Sequence, residues 1–94
     1  MEAKELVLNI AVNLGRIGRW ANEGRSSRLH QFLEETEGYV SELEKMPKSK
    51  RFMKTFDNFR SDFNNLKNNV IIDSAWSEMM FTWANILTHR AKLV

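Results

Sequence analysis

His30 and His89 are the chain's two histidines and the natural place to look for acid–base chemistry. His30 has Glu34 one helical turn later, a spacing that permits a hydrogen-bonded pair. Such neighbours are common on helix surfaces and contribute only about 0.2–0.5 kcal/mol. His89 stands beside Arg90 in a last helical turn, where a cation complements the helix dipole. Neither histidine has a recognisable nucleophile, base or metal partner in sequence. Di-iron bundles require Glu-x-x-His pairs, whereas the residues three before His30 and His89 are Ser27 and Ile86. No H-E-x-x-H, P-loop or nucleophile elbow occurs. The absence of cysteine removes disulfides, thiolate zinc sites and thiol catalysis together, and suits a reducing cytoplasm. The expectation is a protein that is not an enzyme and carries neither cofactor nor metal.

Binding chemistry is better represented. Arg16, Arg19, Arg25 and Arg28 fall within thirteen residues, and guanidinium groups grip carboxylates or phosphates bidentately. Trp20 and Phe81 lie on the polar faces of their segments, Trp20 with Asn13 and Arg16, Phe81 with Ser77, Asn85 and Thr88. Trp and Arg dominate interface energetics, so Arg16, Arg19, Trp20, Arg25, Arg28 and Phe81 are expected to contact a partner. A second basic group, Lys48, Lys50, Arg51 and Lys54, follows Pro47 and is a candidate anion-binding tip. The Arg25–His30 spacing resembles the R-x4-6-H motif of HEPN ribonucleases, which are helical and would imply RNA cleavage. Leu14-Gly15-Arg16-Ile17-Gly18 is faintly similar to the GXXG loop of KH domains, which closes on nucleic-acid phosphates. A KH domain also needs a sheet, and no stretch alternates as strands do.

The elements that must carry these residues follow from periodicity. Apolar residues recur at helical spacing in four segments, about Glu2 to Asn22, Ser27 to Lys45, Lys50 to Asn69 and Ser74 to Lys92. Breaks fall near Gly24, Pro47 and Asp73. The third segment has the narrowest seam, with Phe52, Phe56, Phe59, Phe63, Leu66 and Val70 in heptad-like order. The fourth has the widest apolar arc, from Trp76 to Val94, and is expected to be the most buried. Arg90 falls inside that arc and must reach solvent or a carboxylate. In the first segment, Ala11, Gly15 and Gly18 form a small-residue strip. Each internal glycine costs about 1 kcal/mol against alanine, a cost that the close approach of another backbone would offset.

Charge is distributed in blocks although the net is only +2. Residues 31–44 hold five Glu and no base, and residues 45–54 hold five Lys/Arg and no acid. Glu42 and Glu44 at a helix C-terminus, and Lys48 to Lys54 at a helix N-terminus, both oppose the helix dipole. The two blocks meet at the Pro47 hairpin, where they are expected to neutralise each other. No apolar run approaches the length of a membrane span.

Equal segments of roughly 30 Å joined by short links predict an all-α fold: one domain over residues 1–94, an antiparallel up-down-up-down four-helix bundle. The functional expectation is a cytoplasmic helical interaction module, an adaptor or regulator that binds a protein partner and self-associates, a homodimer included. The alternative is a nucleic-acid-associated regulator using the basic corner of Arg16, Arg19, Arg25 and Arg28. No membrane partner is expected.

Overall fold

Serine and aspartate set two of the four helix starts. In the computed structural model, which describes all of residues 1–94, the elements are α1 (Ala3–Asn22), α2 (Leu29–Glu44), α3 (Lys50–Asn68) and α4 (Ser74–Arg90), followed by a 3-10 turn over Ala91–Leu93. The Ser49 hydroxyl caps α3 by accepting from the Phe52 N–H at 3.2 Å, and the Asp73 carboxylate caps α4 by accepting from the Trp76 N–H at 2.8 Å. Helix α1 stops at Gly24, whose φ of +71° places it in the left-handed region that glycine tolerates. Helix α2 has no side-chain cap. Arg28 occupies the cap position, and the Leu29 N–H donates instead to the Ser26 backbone carbonyl at 3.2 Å.

The four helices form an all-α bundle with no strand. Bonds between α3 and its C-terminal neighbours fix an antiparallel register. The Ser49 N–H donates to the Val94 carbonyl at 3.0 Å, Trp83 Nε1–H to Asp62 Oδ2 at 3.0 Å, and Trp76 Nε1–H to the Leu66 carbonyl at 3.1 Å. No helix is long and apolar enough to cross a membrane.

The most buried helix is α1, not α4. Nine of its 20 residues are buried against five of 17 in α4. Leu6, Val7, Ile10, Leu14 and Ile17 are wholly inaccessible, and α1 packs closely against both α2 and α4. The wide arc of α4 is divided: Trp76, Met80, Trp83 and Leu87 enter the core, while Met79 and Phe81 remain exposed.

Helix α3 meets its neighbours differently. Phe52, Phe56, Phe59 and Phe63 are buried, each contributing about 1.5–3 kcal/mol by removal of apolar area from water. Phe59 stacks on Phe63 and meets Trp83 edge-on, both at 5.4 Å between ring centroids. Rings of this size fill the gap, so the α3 backbone approaches the bundle less closely than α1 does.

The small-residue strip of α1 is only half used. A Cβ on Gly18 would fall 2.8 Å from Phe81 Cε1, so the ring of α4 occupies the space that glycine leaves. Nothing lies within 4 Å of the corresponding position at Gly15. Gly15→Ala is therefore expected to stabilise the fold by about 0.5–1 kcal/mol, since it lowers unfolded-state entropy at no steric cost. Gly18→Ala should lose that gain by displacing Phe81, and recover it when combined with Phe81→Ala. Denaturant melts of Gly15→Ala, Gly18→Ala, Phe81→Ala and the Gly18→Ala/Phe81→Ala double variant check the order; equal effects at Gly15 and Gly18 would show that the ring does not constrain α1.

Candidate functional site

Two acids of the α2 block, Glu37 and Glu44, are spent on α3. Arg60 donates from Nη1 to Glu37 Oε1 at 2.9 Å and from Nε to Glu44 Oε1 at 3.0 Å, and Asn64 accepts from the same Nη1 at 3.1 Å. Lys67 donates to the same Glu37 oxygen, while the Ser41 hydroxyl donates to Glu37 Oε2 at 2.9 Å. Burial pushes the Glu37 carboxyl up, but the hydrogen bonds from Arg60, Lys67 and Ser41 outweigh it and hold the group at about 2, below its ordinary 4.5. Arg60 is raised in turn, chiefly by its bond to Glu37.

The Pro47 hairpin is consequently not neutralised by ion pairing between its two blocks. Lys48 instead closes the end of α2, donating to the carbonyls of Leu43 at 2.8 Å, Glu44 at 3.2 Å and Met46 at 2.8 Å. A cation at the carbonyl end complements the dipole and satisfies its orphan acceptors. Its ammonium also lies 4.8 Å from the Phe56 ring centroid. Of the four candidate tip residues, Lys48 is thus committed to the fold, while Lys50, Arg51 and Lys54 are exposed.

At the other end of the bundle, the corner between α1 and α2 gathers Arg16, Arg19, Arg25 and Arg28, all exposed. Arg25 pairs with Glu23 at 3.4 Å, both side chains largely in solvent, an arrangement of little energetic weight. Arg19 and Arg28 take part in none of the ion pairs. Trp20 is not stranded on a polar face. It is half-buried and meets Phe32 of α2 edge-on at 4.9 Å, with the Arg16 guanidinium 5.9 Å from the same ring centroid. Asn13, expected on that polar face, is buried and donates to Glu35 Oε1 at 3.3 Å. The reason is that α2 docks along the edge of the α1 stripe and covers it. Phe81, 38% exposed, lies against Gly18 with one side and faces solvent with the other.

Two clefts exist. One, of about 350 Å³, is lined by His30, Leu33, Glu34, Glu37 and Lys67. Its Glu37 is held by Arg60 and Lys67, and none of its lining residues carries a hydroxyl. No group of three or more His, Asp or Glu side chains is placed to hold a metal ion. His89 is exposed, its Nδ1 at 2.9 Å from the Asn85 carbonyl. The other cleft, of about 320 Å³ between α3 and α4, is lined by Arg51, Lys54, Thr55, Asn58, Trp83, Ile86 and Arg90. Arg90 reaches it by donating to Thr55 Oγ1 at 3.2 Å rather than to a carboxylate. Its membership was signalled in sequence only by a cation standing inside an apolar arc. No family model, curated protein or solved structure matches the chain.

The Glu37 cluster generates a pH dependence of defined sign. A carboxyl depressed by folding contributes stability that is complete above its unfolded value and lost as pH falls through the folded one. Stability should therefore decline between pH 4.5 and about 2. Thermal melts across this window should show a shallower decline for Glu37→Gln than for the wild-type chain, and parallel curves would remove Glu37 from the acid response.

Proposed function

We propose that this protein is a small helical interaction module, acting in the cytoplasm, that binds a protein partner through the corner where α1 meets α2 and carries out no catalysis. One observation carries the reading. Arg16 and Trp20 converge on the Phe32 ring, at 5.9 and 4.9 Å, at a helix junction whose Arg19, Arg25 and Arg28 are all exposed. Aromatic rings fixed in place beside guanidinium groups are the composition of interface centres, because they offer large area at little entropic cost. Three further arginines select a partner with carboxylates on its surface. A symmetric homodimer through this corner would set the four arginines against themselves. Self-association therefore requires the acidic residues of a second copy to face them.

The same guanidinium groups suit phosphates, and nucleic acid is the runner-up for that reason. Capture from native cells separates the readings, using the wild-type chain and a variant carrying Arg16→Glu, Arg19→Glu, Arg25→Glu and Arg28→Glu. A protein partner lost in the variant, with helical content unchanged and capture insensitive to nuclease, is the expected result. Capture abolished by nuclease and steeply by salt would install the nucleic-acid reading. Retention of the partner by the variant would sink both. Sedimentation at several concentrations settles self-association. Trp20→Ala, which uncovers part of Phe32, should cost about 1–2 kcal/mol of stability, whatever the oligomeric state.

A further inference from the structure

The cleft between α3 and α4 lies at the opposite end of the bundle from the arginine corner and is built from different chemistry. Arg51 and Lys54 come from the first turns of α3, and Arg90 from the last turn of α4. None of the three takes part in an ion pair; the four pairs of the chain use Arg25, Arg60 and Lys67. Arg51 and Lys54 also stand at the positive end of the α3 dipole, where cations lower helix stability. A fold that leaves three cations from two helices uncompensated around one concave space retains an electrostatic cost that an anion would relieve.

A second observation points into the same cleft. Thr55 is 7% exposed and accepts from Arg90, yet its hydroxyl donates to no group. Thr36, Ser77 and Thr88 all give their hydrogens to the carbonyl four residues earlier, at 2.6, 2.9 and 2.7 Å. Thr55 keeps a donor free beside the cations, and the Asn58 amide adds another lining group. Half-buried Ile86 and the exposed edge of Trp83, whose ring is fixed by the bond to Asp62, supply the apolar wall.

We propose that this cleft binds a phosphomonoester dianion attached to a planar group. Three cations and a free hydroxyl match the three oxygens and double charge of a phosphomonoester better than the two oxygens and single charge of a carboxylate. The planar group lies against Ile86 and the edge of Trp83 that the cleft exposes. A volume of about 320 Å³ accepts a small ligand and falls at the lower end of the range usual for such sites.

Calorimetric titration with phenyl phosphate, inorganic phosphate and benzoate tests this. Phenyl phosphate should saturate one site per chain, with inorganic phosphate and benzoate each about tenfold weaker or more, since each lacks one half of the recognition. Lys54→Gln and Arg90→Gln should each weaken phenyl phosphate about tenfold, whereas Lys4→Gln, which removes a charge outside the cleft, should match the wild type. Because Lys54 makes no bond within the fold, Lys54→Gln should also melt at the same temperature as the wild-type chain or higher. Absence of saturable binding, equal weakening by Lys4→Gln, or inorganic phosphate binding as tightly as phenyl phosphate would overturn the proposal.

Discussion

Close packing along α1 is the constraint on which the other positions depend. Its stripe of Leu6, Ile10, Leu14 and Ile17 is inaccessible to solvent, and glycine at position 18 admits the Phe81 ring of α4. With α2 and α4 drawn against α1, the remaining side of the core is open, and only bulky side chains can close it. The phenylalanines of α3 do so. Interiors pack near crystal density, so a helix of large rings must stand further off than one of small residues. The two solutions meet in a single bundle because the aromatic seam and the small-residue strip lie on different helices.

The larger separation at α3 has an electrostatic consequence. Between α2 and α3 there is room for long side chains, and Arg60 and Lys67 cross it to Glu37 and Glu44. Two of the five acids in the α2 block, Glu37 midway along the helix and Glu44 at its last residue, are thereby consumed by α3. Neither basic end receives them. The arginine corner at one end and the Arg51, Lys54 and Arg90 cleft at the other keep unmatched charge, although the whole chain carries only +2. Near-neutral net charge therefore conceals a polarised surface, and it is the surface, not the net, that steers partners.

Periodicity exposed the helices well because each buries one continuous stripe, and three breakers, Gly24, Pro47 and Asp73, interrupt it cleanly. It located Phe52 to Phe63 in the core for the same reason. It misplaced Trp20 and Asn13, since a helical wheel gives the direction of a side chain but not the width of the neighbour that covers it. Both residues lie at the margin of the α1 stripe, and α2 reaches past that margin. It also misassigned the partners of the charge blocks. Adjacency in sequence favoured pairing across Pro47, yet lysine at position 48 is nearer to the free carbonyls of α2 than to its carboxylates, and three backbone acceptors hold it there.

The α3–α4 cleft was the least visible feature, and register explains why. Arg51 and Lys54 belong to a basic run that stands out in sequence, whereas Arg90 is separated from Thr55 by 35 positions. Bringing them together requires knowing that α4 runs back along α3 and by how many residues it is offset. That offset is fixed by tryptophans: Trp76 is tied to the Leu66 carbonyl and Trp83 to Asp62, so α4 advances as α3 recedes. Both indoles sit in an arc that sequence alone assigns wholly to the core. Their N–H groups must nevertheless find acceptors when buried, and the acceptors are all on α3. The hydrogen bonds that satisfy two core side chains therefore also set which surface residues become neighbours two turns further on. The basic cleft is a product of how the core was satisfied.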